Sequence, residues 1–170
     1  MIQRRRSKLH GWGVFATARI PKNKRIIHYA GEKITHRESA RREAAYMKDG
    51  RIWCFHLNSR WVIDAGVGGN AARYINHACE PNCETIIEDR RVFIRALRTI
   101  QPGEELSYDY QIQREPGDPP EIDEIFACRC GAAGCRGTML LPPRRPRRKQ
   151  AGGRPAKPEH HAHGRSANRH

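Results

Sequence analysis

Arg73-Tyr-Ile-Asn-His-Ala-Cys-Glu-Pro-Asn-Cys83 is the stretch on which the reading of this chain turns. Its cysteines gain meaning from a second group of thiols near the other end, Cys128-Arg-Cys130-Gly-Ala-Ala-Gly-Cys135. There Gly131 and Gly134 let the backbone wrap tightly round a small centre. With no secretion signal ahead of them, clustered thiols favour zinc over disulfides. A tetrahedral structural zinc needs four ligands and the cluster supplies three. The fourth must come from Cys54, Cys79, Cys83 or a histidine. A long-range tie between the C-terminal segment and the body is therefore expected.

Working outward, the 170 residues suit one modest domain with an extension, large enough to bury a core. The net charge of +14 is uneven. Residues 142–170 hold nine Lys or Arg against one acid, Glu159. Such a tail attracts polyanions, or simply stays solvated and disordered. Within it Pro-Arg-Arg-Pro-Arg-Arg-Lys (143–149) has the look of a nuclear-import or nucleic-acid patch, and His160, His161 and His163 form a short cluster without a specific task. No apolar run is long enough to span a bilayer, and no hydrophobic segment follows the basic start Ile2-Gln3-Arg4-Arg5-Arg6. A soluble intracellular protein with no membrane contact is expected, in the cytoplasm or, if it acts on chromatin, in the nucleus.

Short strands dominate the body. Arg25 to Ala30 reads as one, ending at Gly31. Thr35-His36-Arg37-Glu38 has capping-box spacing and starts a charged surface helix running to about Met47. Strands at Ile52–Leu57 and Trp61–Ala65 join at Asn58-Ser59-Arg60. A hairpin, Thr85–Glu88 with Val92–Ala96, turns at Asp89-Arg90. Pro102-Gly103 is a turn, Leu106–Tyr110 a further strand, and Gly117–Pro120 a loop. Cys54, in an apolar strand, reads as a small core residue. The pattern is mostly β with few helices.

Four motifs now line up in order. Ser7-Lys-Leu-His-Gly-Trp-Gly-Val-Phe15 resembles the opening Gly-x-Gly segment of SET domains, and Tyr29-Ala-Gly-Glu32 their second strand. Asp64-Ala65, Gly69-Asn70 and the Arg73–Cys83 stretch are similar to the central Asn-His-x-Cys-x-Pro-Asn motif. Gly103-Glu-Glu-Leu-Ser-Tyr-Asp-Tyr110 resembles the closing strand. The Cys128–Cys135 cluster is similar to a post-SET zinc segment, with the trithorax-like class the best match. The resemblance spans roughly residues 7–141. It implies a SET domain at 1–111, a linker loop at 112–127, a post-SET zinc segment at 128–141 and the basic tail at 142–170. The implied fold is mostly β and β-clip-like, made of small curved sheets with a pseudoknot and few short helices.

The resemblance also implies an activity: methyl transfer from S-adenosylmethionine to lysine side chains of proteins, histones or other basic DNA-associated proteins among them. The reaction is an in-line displacement by a neutral amine, so it is mainly a matter of alignment. An apolar, aromatic channel lowers the lysine pKa and serves the same end. By resemblance the fourth zinc ligand is Cys79, joining Cys128, Cys130 and Cys135 in a structural site. His10, Gly11 and Trp12 would wrap the donor, Asn76 and His77 contact it, and Arg129 approach its adenine, with Phe126 packing on the base. Arg73 would orient the loop. Tyr110 matches the catalytic tyrosine and Tyr108 the position governing methylation extent, where a tyrosine goes with monomethylation. Trp53 stands where many members carry a tyrosine beside the donor and the lysine channel. Cys83 has no task.

The expected partner is a lysine in an extended basic peptide, laid beside a strand and met by a monomer. The basic tail could add nucleic-acid contact. The alternative is a catalytically weak, zinc-stabilised SET-like module that binds nucleic acid or protein through that tail.

Overall fold

A computed structural model describes residues 1–143. The readings made for the basic tail beyond Pro143, including the histidine cluster, lie outside the described residues. Among the described residues ten short strands form four small sheets. They are β1 (Ile2–Arg6), β2 (Trp12–Ala16), β3 (Arg25–His28), β4 (Glu32–Thr35), β5 (Cys54–His56), β6 (Trp61–Asp64), β7 (Asn76–His77), β8 (Cys83–Glu88), β9 (Arg91–Ala96) and β10 (Ser107–Tyr108). Helix α1 spans His36–Lys48, α2 spans Ile122–Ile125, and Ala71–Tyr74 forms a 3₁₀ turn. The sheet orders are β1-β2, β10-β7, β3-β9-β8 and β4-β6-β5.

The β8–β9 hairpin shows how local chemistry sets register. Asp89 and Arg90 both adopt positive φ (48° and 59°), the twist that two-residue hairpins require. That pairs Glu88 with Arg91 and places Val92, Ile94 and Ala96 fully inside. Helix α1 begins where the capping residue dictates: the Thr35 hydroxyl accepts from the Glu38 N–H at 3.3 Å. The Glu38 side chain does not close the box; it binds Arg41 and Arg42 instead. Val14, Ile20, Val62, Ile75, Val92, Ile94, Ile100 and Leu106 form the core where the sheets meet.

Several elements differ from the sequence reading, among them β7 and α2, which it does not contain. The β1–β2 ribbon was unmarked, because β1 carries one apolar residue and depends on Val14 and Ala16 of β2 for burial. The strand read at residues 106–110 shrinks to Ser107–Tyr108, and that at 52–57 to Cys54–His56. Cys54 is half-buried on an edge strand rather than in the core, while Cys83 is completely buried.

The closing segment is gripped on both sides by the Asn76–Cys83 stretch. Strand β10 pairs in parallel with β7, and the Asn82 side chain donates to Glu105 O and accepts from Ser107 N (2.8 and 2.9 Å). Ile112 bridges Leu140, and Ala127 bridges Thr138, so the cysteine segment folds back over the body.

Gly31 marks a close approach of two backbone segments. A Cβ there would overlap the Asp64 carbonyl, with the Ala65 nitrogen at 2.8 Å. Gly31→Ala is therefore expected to cost about 1–3 kcal/mol through overpacking. A lower urea midpoint at unchanged slope checks this.

Candidate active site and metal centre

The sulfur atoms of Cys79, Cys128, Cys130 and Cys135 all lie within 4.8 Å of one another. Cys54 and Cys83 stand apart. Backbone N–H groups point at the thiols: Arg136 N to Cys79 Sγ (3.4 Å), Gly137 N to Cys135 Sγ (3.4 Å), Cys79 N to Cys130 Sγ (3.5 Å). Such donors stabilise thiolates, although burial outweighs them at Cys79 and Cys128 and pushes those thiols up. Burial raises the Cys130 thiol, but the N–H groups of Cys79 and Ala132 outweigh it and bring it down to about 7. Four thiols at this spacing fit a tetrahedral structural zinc ion.

The same set is wired to the neighbouring cleft through His77. Its Nδ1 accepts from the Tyr110 N–H at 3.2 Å, and its Nε2 faces Cys79 Sγ at 3.5 Å. Desolvation holds the imidazole pKa below its usual value, although Asp109 opposes this. A neutral ring with its proton on Nε2 satisfies both contacts, so it donates to the sulfur. Asp109, 3.5 Å from Nδ1, is taken up by a bidentate pair with Arg136 (2.8 and 2.9 Å).

A cleft of about 530 Å³ opens beside the thiols. His10, Gly11, Trp12, Trp53, Asn76, His77, Tyr110 and Arg129 all line it, although they derive from five distant segments. Gly11 turns at φ 47°. The Asn76 amide nitrogen reaches three acceptors, Glu105 Oε1 (2.8 Å), Trp12 O (3.1 Å) and His10 O (3.3 Å). Its carbonyl oxygen is left for a ligand. Volume and polar groups fit a cofactor of nucleoside size.

A second cleft of about 430 Å³ shares Met47, Arg51, Ile52, Trp53 and Tyr110 with the first. Tyr108 lines this second cleft only, buried, with its ring 4.9 Å from that of Tyr110. Burial pushes both phenols up, so they remain protonated. The Tyr110 hydroxyl donates to Ile75 O at 2.9 Å. Trp53 forms the partition, its indole held between the guanidiniums of Arg51 and Arg73, each at 4.8 Å. Arg73 is anchored on Ala65 O (2.8 Å), consistent with a role in loop position.

One residue lies elsewhere than expected. Phe126 lines the second cleft, while Ile125 and Met139 are the apolar groups near Arg129 in the first. Other groups have no role assigned by the sequence alone. Glu105, inside the quoted closing motif, joins Ser7 Oγ (2.9 Å) to Asn76. Glu43, Glu115 and Asp118 give the second cleft an acidic lining on a chain of net charge +14.

Among the described residues, no helix is long and apolar enough to cross a membrane. The family model described as SET domain matches residues 11–111. Proteins named "Histone-lysine N-methyltransferase, H3 lysine-4 specific" from Emericella nidulans, Candida albicans and Saccharomyces cerevisiae are each 41% identical over 140 residues. These alignments cover 79% of this chain but only 11%, 13% and 13% of those proteins. The chain thus matches a small part of much longer relatives.

Proposed function

We propose, from the premise that this chain belongs to the SET domain family, that it transfers methyl groups from S-adenosylmethionine to lysine side chains of proteins, histones or other basic DNA-associated proteins. The observation that carries this reading is the pair of clefts meeting at Trp53 and Tyr110, the second of them acidic. One has the size and polar groups for the donor. The other has the charge for a basic peptide.

When bound, the donor supplies an electrophilic methyl on a sulfonium. His10, Gly11 and Trp12 would wrap it, the Asn76 carbonyl oxygen and His77 segment would hold its polar end, and Arg129 would lie against its base. Trp53 and Tyr108 exclude water from the lysine channel, which favours the neutral amine. Tyr110 orients the amine; as a protonated phenol tied to Ile75 O, it is not a base. Cys79, Cys128, Cys130 and Cys135 would hold zinc as a structural ion. The SET body at 1–111, the connecting 112–127 and the zinc segment at 128–141 then form one catalytic unit, consistent with a place on chromatin.

Incubation of the zinc-loaded chain with methyl-labelled S-adenosylmethionine and core histones tests the reading. Label on lysine is expected; no label on any basic protein, with nucleic acid still bound, would instead favour a weak binding module. Tyr108 limits the product, since its hydroxyl occupies the channel. Mass spectrometry should find monomethyllysine from the wild type and higher products from Tyr108→Phe.

The Glu43 carboxylate, 3.3 Å away, holds His56 protonated to higher pH than usual, although burial opposes it. The folded-state pKa is raised. The pair's contribution to stability is therefore full below the ordinary histidine range and is lost as pH rises through the raised value. Deprotonation also frees Glu43 to face a cationic peptide. The peptide KM should fall as pH rises through that range, and His56→Gln should remove this component.

A further inference from the structure

The first 31 residues contain eight Lys or Arg and no acid. Three of these bases, Arg4, Arg5 and Arg6, stand consecutively on β1, an exposed strand paired only with β2. Among the described residues none of the three has a carboxylate partner; of the eight, Arg25 alone has one, Glu88. Aromatic rings hold the guanidiniums instead. Arg4 and Arg6 lie over the Trp12 indole at 4.6 and 4.5 Å, and Arg5 over Phe15 at 4.1 Å.

Stacking fixes the plane of each guanidinium and leaves N–H edges available, although Arg4 also meets Tyr74, 4.9 Å from its ring. Strand geometry separates Arg4 from Arg6 by about 7 Å, twice the axial spacing of phosphates along one nucleic-acid strand. Arg5 projects to the opposite face. From this unopposed, preorganised row of guanidiniums we infer that the β1–β2 ribbon is a nucleic-acid-binding surface engaging the phosphodiester backbone. The inference is independent of the proposed methyl transfer.

Charge complementarity selects the partner. A protein interface of matching specificity would carry charges of both signs, whereas this stretch has one sign only. A lipid surface would need apolar groups facing outward. Here Val14 and Ala16 are buried, and Trp12, the exposed large apolar group of the ribbon, is covered by Arg4 and Arg6. Because Trp12 also lines the first cleft, the bound nucleic acid would run beside it.

The test is fluorescence anisotropy of a short labelled DNA duplex with the full zinc-loaded chain, from about 50 to 200 mM salt. To separate the tail, a second chain carries glutamine at all nine Lys and Arg of residues 144–169. That chain should still bind, and adding Arg4→Gln and Arg6→Gln should reduce the slope of log affinity against log salt by about 1.8, two phosphates' worth. Lysine at the same two positions should retain most of the slope. Absence of binding by the tail-neutralised chain would overturn the proposal without any ribbon variant. So would an unchanged slope in the glutamine variant with correct zinc content, or competition by phosphatidylserine vesicles or poly-glutamate stronger than by unlabelled duplex.

Discussion

Cys79→Ser is expected to strip the protein of zinc and to collapse methyl transfer by at least about a hundredfold. Removing one thiolate leaves Cys128, Cys130 and Cys135 without a fourth ligand. Structural zinc is worth roughly 10–16 kcal/mol of apparent binding energy, as large as the whole net stability of a typical domain. The body keeps its own core from Val14 to Leu106, so it should remain folded. What it loses is the covering segment. Arg129 and Met139 line the donor cleft only because residues 128–139 are tied down. His77 loses its sulfur acceptor too, and with it the restraint on the backbone N–H of Tyr110. Native mass spectrometry gives the readout: one zinc per wild-type chain and none in the variant, with Cys83→Ser retaining the metal. A Cys79→Ser protein that still held one tight zinc would show that the fourth ligand lies elsewhere.

Tyr110→Phe should produce the second large effect, and of a different kind. The variant loses the hydroxyl that sits where the two clefts meet, but no wall of the donor cleft. We expect kcat to fall about a hundredfold or more through lost alignment, with donor affinity essentially unchanged. Ile75 O loses its donor, which should lower stability by about 1–2 kcal/mol. Single-turnover transfer and donor titration separate the two effects. Equal loss of donor binding and rate would mean that the Tyr110 hydroxyl serves cofactor binding rather than alignment of the reacting atoms.

These two variants mark where sequence reading is strong. Three thiols packed within eight positions already demanded a fourth, and the resemblance nominated Cys79; neither shows how the metal would act on the site. The neutral His77 that joins Cys79 Sγ to Tyr110 N is visible only when residues 33 positions apart are brought together. Glu105 illustrates the same limit. Its letter stood in the closing motif, but its bonds to Ser7 and Asn76 span 98 and 29 positions. The β1 strand has no sequence signature for another reason: its order comes from pairing with β2 and from rings on the partner strand, neither of which leaves an alternation in Ile2–Arg6 itself.

By itself, then, the sequence determined the local chemistry of this protein: the Thr35 cap, the Asp89-Arg90 turn, the thiol cluster and the ordered motifs from Ser7 to Tyr110. Such features are set by neighbours a few positions away, or by letters that a family shares. Only the tertiary structure decided which groups face one another. It set Tyr108 in one cleft and Tyr110 in both, moved Phe126 to the second, and gathered Glu43, Glu115 and Asp118 there. Burial and electrostatics act through space. The Arg73–Cys83 stretch becomes a site only where β10 pairs with it and the cysteine segment closes over it.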